Sequence, residues 1–253
     1  MVGIYFSGTG NTRRCVKKLA ELLESGAECY SIEDEHAIEA IKNSDKIIFG
    51  YPVYFSNVPR IVRDFIDKNG EIFHGKKVFI VCTMGLFSGD GAGCGARLLK
   101  KRGAEIFGGL HLKMPDCIGD NPLLKRTKEK NRALIRAADE KIFKAAENIK
   151  AGKIPKNGLG IFAEIAGLLG QRLYFYNKPR RYCKTVKADT QKCVKCGICA
   201  GVCPMSNISV CENGIIFSGR CTACYRCLSM CPKGAITVMG KRVYEQYKIE
   251  DYD

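Results

Sequence analysis

The first ~150 residues alternate between short apolar runs and segments whose apolar positions have helical spacing. The apolar runs are nearly uninterrupted, which is typical of strands buried on both faces of a sheet. These runs are 2–6, 45–50, 77–82 and 104–112. The helical patterns lie at 15–23, 34–42, 59–68 and 92–102. Strands that alternate with helices in this way predict a doubly wound α/β domain built on a parallel sheet.

Two more helices are predicted after this domain. A polar helix at 123–151 precedes an apolar helix at 158–170, and 172–187 then carries six basic residues and no acid. The apolar helix packs between two domains, which we favour, or lies on a membrane surface. The basic run is a solvated face or a docking surface for an acidic partner. We predict domains at 1–152 and 188–253, joined by a connector at 153–187.

Composition argues against a membrane-spanning protein. Of the 253 residues, 46% are apolar and 26% are charged, and no run approaches the roughly 18 uncharged apolar residues of a membrane helix. The N-terminal segment lacks the basic region of a secretory signal, so we expect a cytoplasmic protein. The formal charge of +15 suits an acidic protein partner as well as DNA. We expect no nucleic acid partner, because no recognised binding motif is present.

The strongest chemical signal is a duplicated run of cysteines. Ten of the 15 cysteines lie between 183 and 231. In a reducing compartment such thiols are typical of metal ligands rather than disulfides. Both copies have the spacing C-x2-C-x2-C-x3-C-P, and the second begins 28 residues after the first. The copies contain Cys193, Cys196, Cys199 and Cys203, and then Cys221, Cys224, Cys227 and Cys231.

This spacing predicts two [4Fe-4S] clusters. Three thiolates on one tight loop can bind three irons of a cluster, and the fourth cysteine of each run ligates the other cluster. The predicted ligand sets are Cys193, Cys196, Cys199 and Cys231, and Cys221, Cys224, Cys227 and Cys203. Zinc is the alternative, although structural zinc sites use two separated ligand pairs. The remaining Cys183 and Cys211 are expected to be small buried residues.

Residues 188–240 resemble the bacterial two-[4Fe-4S] ferredoxins. The resemblance rests on both cysteine runs and their prolines, and it spans the whole of the small C-terminal domain. It implies a small α+β ferredoxin fold and the transfer of single electrons at low potential.

The loop after the first strand is rich in glycine and in hydroxyl groups, and it opens a helix. Free N–H groups and the helix dipole there suit a phosphate. The loop has no Walker lysine and does not follow the G-x-G-x-x-G pattern. Its hydroxyl groups therefore indicate a phosphate monoester bound without a basic side chain. The candidate phosphate-binding residues are Ser7, Thr9, Gly10, Asn11 and Thr12.

This loop resembles the FMN phosphate loop of flavodoxins, which implies a flavodoxin-like five-stranded sheet with FMN at its switch point. The loop at 50–57 resembles the flavodoxin loop that places an aromatic ring against the flavin. Tyr54 is our first choice for that ring; core packing is the alternative for Tyr51, Tyr54 and Phe55. The loop at 83–90 would contact the pyrimidine end of the flavin. The flavin-contacting residues implied are Pro52, Val53, Tyr54, Phe55, Thr83, Met84, Gly85, Gly89 and Asp90.

The whole chain resembles fusion proteins of anaerobic bacteria and archaea that join a flavodoxin-like domain to a two-cluster ferredoxin domain. Clusters carry single electrons and FMN holds one or two, so we expect a relay that interconverts the two kinds of transfer. Its expected partners are redox proteins with acidic docking surfaces. The alternative is a ferredoxin-fed flavin reductase that acts on a small-molecule electron acceptor.

No catalytic residue is predicted. The chain has no nucleophile elbow and no paired acidic motif for hydrolysis. The three histidines lie away from the motifs and are expected to be structural or exposed. We leave the oligomeric state open, and a dimer that brings the two domains together is one of the alternatives.

Overall fold

The computed structural model describes residues 1–169 and 184–252, and its N-terminal part forms a five-stranded parallel sheet. The strand order is β2-β1-β3-β4-β5, so the direction of winding reverses between β1 and β3. The strands are β1 (Val2–Tyr5), β2 (Cys29–Ser31), β3 (Lys46–Pro52), β4 (Lys77–Met84) and β5 (Glu105–Lys113). All four strand pairs are parallel. This is the flavodoxin-like sheet that the sequence predicted.

Helices cover both faces of the sheet. One face carries α1 and α5, and the other carries α2, α3 and α4. Their bounds are α1 (Asn11–Leu23), α2 (His36–Lys42), α3 (Arg60–Lys68), α4 (Gly91–Lys100) and α5 (Lys128–Lys150). The central strands are buried from both sides, as their nearly continuous apolar runs predicted: Ile47, Ile48 and Phe49 are at most 1% exposed.

The predicted polar helix at 123–151 begins later than expected. A short 3-10 turn, Pro122–Leu124, comes first, and α5 starts at Lys128. The hydroxyl of Thr127 caps α5 by accepting a hydrogen bond from the Lys130 N–H at 3.3 Å. This cap determines where the helix begins.

The apolar helix α6 (Ile161–Gly167) lies against α4, and not between two domains as we expected. Glu164 forms an ion pair with Arg97 of α4 at 3.2 Å. The side chains of Ile161 and Phe162 are 75% and 90% exposed. The expectation is wrong because the cysteine-rich domain packs at the carboxyl ends of the strands instead.

Residues 170–183 lie outside the described residues, and with them Cys183 and most of the basic run. Within the described parts of the chain, no helix has both the length and the apolar character that crossing a membrane requires.

The cysteine-rich domain is a small α+β unit, as predicted. Two antiparallel strand pairs, β6 with β9 and β7 with β8, flank two short helices. The elements are β6 (Lys187–Ala188), α7 (Ile198–Gly201), β7 (Ile208–Cys211), β8 (Gly214–Phe217), α8 (Arg226–Met230) and β9 (Ile236–Thr237). Cys211 is exposed, because it lies beside the two-residue turn of the β7–β8 hairpin. Our expectation that it is buried is therefore wrong.

The C-terminal tail, residues 244–252, returns to the N-terminal domain. Tyr247 and Ile249 are each 1% exposed in the core between α1 and α5. The Ile249 N–H donates to the Thr9 carbonyl at 3.0 Å, and the Tyr247 hydroxyl donates to Asn11 Oδ1 at 2.6 Å. The tail thereby ties the cysteine-rich domain to the loop at 7–12.

Candidate functional site

A cavity of about 390 Å³ opens at the carboxyl ends of β1, β3 and β4. We call it the large cavity, to distinguish it from the two much smaller cavities that the cysteine runs line. Its walls come from the loops at 7–12, 52–55, 83–87 and 114–118 and from the cysteine-rich domain. It lies where the strand order reverses, which is where doubly wound sheets bind their ligands.

Most of the predicted flavin-binding residues line the large cavity. Those that do are Ser7, Thr9, Asn11, Thr12, Pro52, Val53, Tyr54, Phe55, Thr83, Met84 and Gly85. Gly10, Gly89 and Asp90 are not among the lining residues. Gly10 lies beneath the tail, where an added side chain would clash with Ile249.

Gly89 and Asp90 belong to the packing between α4 and α6. Asp90 is fully buried, and its carboxylate accepts a hydrogen bond from the Arg97 guanidinium at 2.7 Å. A side chain at Gly89 would clash with the backbone of Gly167 in α6. Neither residue lines the large cavity, because the chain turns into α4 at this point, and their contact with the flavin stays a prediction.

His111 is structural, as expected. Its Nε2 accepts a hydrogen bond from the Ala92 N–H at 3.2 Å, and its Nδ1 lies 3.0 Å from the Ser88 hydroxyl oxygen. Burial lowers the pKa of His111 to about 4, so the ring is neutral near pH 7.

The loop at 7–12 fits a phosphate. Within the described residues, Ser7 Oγ is buried and has no hydrogen-bond partner. The Thr12 and Thr83 hydroxyls are 2.7 Å apart at the start of α1. Both side-chain groups of Asn11 are engaged, its Nδ2 with the Pro115 carbonyl and its Oδ1 with Tyr247. Ser7 therefore has an unused hydroxyl for a phosphate, whereas the Asn11 side chain is held by Pro115 and Tyr247.

Two tyrosines near the end of β3, one in the strand and one in the loop after it, have different roles. Tyr51 is fully buried in the sheet core, where its hydroxyl donates to the Gly91 carbonyl at 2.7 Å. Tyr54 lines the large cavity, and burial raises its pKa well above the usual value. The backbone after Tyr54 is held in a tight turn, with positive φ at Phe55 and Ser56. This turn directs the loop into the cavity wall.

Sequence reasoning missed two groups on the opposite loop. Asp116 and Cys117 line the large cavity, and burial raises the pKa of both side chains. One Asp116 oxygen accepts a hydrogen bond from the Ile118 N–H at 2.9 Å. The apolar strand before these residues indicated that a loop at this sheet edge would follow, but no motif marked the two side chains.

Sequence reasoning also missed the contribution of the cysteine-rich domain. Ala223, Tyr225 and Met239 line the large cavity. The signal for Tyr225 was available: the corresponding residue of the first cysteine run is Gly197. That comparison could have marked Tyr225 as unusual, although only the fold shows what it contacts.

The eight predicted cluster ligands surround two separate cavities. One, which we call the distal cavity, is lined by Cys193, Cys196, Cys199 and Cys231. The other, the proximal cavity, is lined by Cys203, Cys221, Cys224 and Cys227. The fold thus groups the cysteines into the same two sets that the spacing predicted, each taking its fourth member from the other run.

The donor chemistry of both cavities suits iron–sulfur clusters. Across 1–169 and 184–252, no three His, Cys, Asp or Glu side chains are arranged to hold a single metal ion, which is unlike a zinc site. Burial raises the pKa of Cys224 to about 11, although the Arg226 N–H and guanidinium lower it in part. Coordination to iron is what would make such a thiol a thiolate.

The proximal cavity lies against the N-terminal domain. Arg226 donates to the carbonyl oxygens of Ser7 and Gly8 at 2.8 and 3.3 Å. Its guanidinium also forms two hydrogen bonds of 2.8 Å with the Glu33 carboxylate. A side chain at Gly8 would lie 2.3 Å from the Cys224 carbonyl oxygen. Close backbone contact at Gly8 therefore brings the second cysteine run next to the phosphate-binding loop.

Family comparisons match each part of the chain separately. Residues 3–105 match the flavodoxin domain family, and residues 214–237 match the 4Fe-4S binding domain family. The second match includes Cys221, Cys224, Cys227 and Cys231 but not the first cysteine run. The search of curated proteins found no match.

Solved flavodoxin structures are similar to the N-terminal part. The two-electron reduced flavodoxin of Megasphaera elsdenii is 25% identical, with 58% of this chain and 99% of that chain covered and a TM-score of 0.42. Oxidised flavodoxin 2 of Bacillus cereus is 21% identical, with 60% and 97% covered and a TM-score of 0.44. The Fusobacterium nucleatum flavodoxin bound to flavin mononucleotide is 19% identical, with 60% and 97% covered and a TM-score of 0.42.

Proposed function

The chain joins a flavodoxin-like domain to a 4Fe-4S ferredoxin domain, and we propose that it relays electrons between two [4Fe-4S] clusters and FMN within one polypeptide. Clusters supply one-electron chemistry and FMN accepts one or two electrons, so the pair interconverts the two kinds of transfer. The observation that carries the proposal is that Tyr225 lines both the large cavity and the proximal cavity.

The two cluster sites have different positions in the relay. The cysteines of the proximal cavity would hold the cluster beside the flavin, because Gly8 and Arg226 bring that cysteine run against the phosphate-binding loop. The cysteines of the distal cavity would hold the cluster that exchanges electrons with partners, because Cys196 is exposed. One chain then contains the complete route, and no dimer is needed to assemble it.

The surface around the distal cavity suits a redox protein with an acidic docking face. Val194 and Ile198 are 58% and 39% exposed beside Cys196. Lys195 and Lys233, both exposed, line the same cavity. An apolar centre with lysines around it favours a partner of complementary charge.

Cofactor analysis followed by a matched pair of variants tests the relay. Anaerobically purified protein should contain about one FMN, about eight iron and about eight acid-labile sulfide. Cys196→Ser and Cys224→Ser change the same position of the two runs, and each should remove about half of the iron. With reduced methyl viologen as donor, stopped-flow absorbance should show flavin reduction at least about tenfold slower in Cys224→Ser, with a smaller effect in Cys196→Ser.

The outcomes separate the parts of the proposal. Protein with full iron and no flavin would refute the flavin site. About four iron in the wild-type protein would refute the second cluster. Wild-type rates of flavin reduction in both variants, with FMN bound, would refute the relay.

The ferredoxin-fed flavin reductase remains the second candidate. Asp116 is the observation that favours it, since a partly buried carboxyl group with a raised pKa in the large cavity is a suitable proton donor. The test is whether the protein steadily oxidises reduced methyl viologen when a small-molecule acceptor is present. Steady oxidation whose rate depends on pH, together with loss of that pH dependence in Asp116→Asn, would favour the reductase over the relay.

A further inference from the structure

We infer that Tyr225 of the ferredoxin domain forms part of the flavin-binding site, so that FMN binds fully only when the second cysteine run is in place. This inference rests on the proposed function, because it takes the large cavity as the FMN site. It assigns a binding residue to a domain that the sequence linked only to iron.

Tyr225 lies in a wall shared by two cavities. Tyr225 lines the large cavity together with Tyr54 and also lines the proximal cavity beside Cys224. The residue is 2% exposed in the described structure. An aromatic ring in this wall can contact a planar ligand on one side and pack against the cysteine run on the other.

The backbone of Tyr225 is left-handed, with φ at 60°. The corresponding residue of the first run, Gly197, has φ at 79°. This backbone conformation suits glycine and is unfavourable for a bulky side chain. The first run has a glycine at this position, whereas the second has a tyrosine whose backbone conformation is strained. Strain of this kind is concentrated at functional sites.

A buried carboxylate positions the Tyr225 ring. The tyrosine hydroxyl donates to Asp120 Oδ1 at 3.1 Å. Asp120 Oδ2 accepts hydrogen bonds from the N–H groups of Val238, Met239 and Gly240 at 2.6, 2.8 and 2.9 Å. Asp120 belongs to the chain segment after β5, so one carboxylate holds the ferredoxin domain and Tyr225 against the flavodoxin-like domain. Asp120 is therefore a positioning residue.

Binding of FMN to the full chain tests this inference directly. The FMN-depleted protein, with its clusters retained, is titrated with FMN while the quenching of flavin fluorescence is followed. Tyr225→Gly removes the ring and relieves the backbone strain, and it should weaken FMN binding at least about tenfold. Tyr225→Phe keeps the ring and should stay within about threefold of the wild-type Kd. Ile198→Ala, at the neighbouring position of the first run, is the matched control and should leave the Kd unchanged.

Iron content is measured for every variant, so that weaker FMN binding caused by loss of a cluster is not attributed to loss of the ring. If Tyr225→Gly loses iron, Tyr225→Asn replaces it, because asparagine tolerates a left-handed backbone. An iron-replete variant without the ring that binds FMN as tightly as the wild type would overturn the inference. Wild-type protein that binds no FMN would instead refute the proposed function.

Discussion

The two cysteine runs have the same spacing but opposite surroundings. The first run, 193–199, is exposed at Val194, Lys195 and Cys196, and none of its residues lines the large cavity. The second run, 221–227, is largely buried and packs against the loop at 7–12. Two residues carry much of the difference: Gly197 and Ile198 in the first run correspond to Tyr225 and Arg226 in the second.

This difference shows how one repeat serves two tasks. The ligand cysteines are the same in both runs because cluster coordination requires the same geometry. The residues between the ligands are free to change, and in the second run they supply a ring to the large cavity and a guanidinium to the domain interface. The two runs have the same predicted cluster ligands, but they pack against different parts of the molecule.

Gly8→Ala should disturb the packing of the second run against the N-terminal domain more than the other substitutions do. The new methyl group would lie 2.3 Å from the Cys224 carbonyl oxygen, and both groups belong to backbone that cannot easily move. We expect destabilisation of about 3 kcal/mol, measured by thermal unfolding, with weaker FMN binding. Gly201→Ala beside the first run has open space around it and should change stability by less than about 0.5 kcal/mol. Equal unfolding midpoints for the two variants would contradict close packing at Gly8.

Arg226→Ile gives the second run the residue found in the first. The change removes the hydrogen bonds to Glu33, Ser7 and Gly8, and it leaves the partly buried Glu33 without its cation. A loss of about 2 kcal/mol is expected. The reciprocal change, Ile198→Arg, lies on the exposed run and should be nearly neutral. Thermal unfolding of both variants measures the change in stability. Losses of stability of similar size would show that the two runs do not differ in how they pack against the rest of the molecule.

Gly197→Ala should have the smallest effect and should be confined to the first run. The position has φ at 79°, and among the described residues no atom beyond its chain neighbours lies within 4 Å of an added Cβ, so only backbone strain opposes a side chain. The expected cost is about 1 kcal/mol, seen as a faster loss of iron from the distal site in a chelator. The affinity for FMN should not change. A weaker FMN affinity in this variant would mean that the first run also supports the flavin site.

Much of the architecture could be predicted because it depends on local patterns. The apolar runs at 45–50 and 77–82 specify strands buried on both faces, and the cysteine spacing predicted the two sets that surround the cavities. The sequence could not predict positions that tertiary contacts decide. Asp90 follows a flavodoxin-like loop in sequence, yet its pairing with Arg97 places it under α6. The apolar helix at 161–167 packs on α4, which its composition could not indicate.

The sequence by itself determined the sheet, the glycine-rich loop at 7–12 and the grouping of the thiols, because periodicity and spacing act over short distances along the chain. Only the tertiary structure decided which cysteine run lies beside the large cavity. That choice depends on Gly8, Asp120 and Arg226. The partners of Asp120 are more than 100 residues away, and more than 200 residues separate Gly8 from Cys224 and Arg226 from the Ser7 and Gly8 carbonyls. Contacts at such separation come from the packing of whole domains, and a single sequence carries no local signal of them.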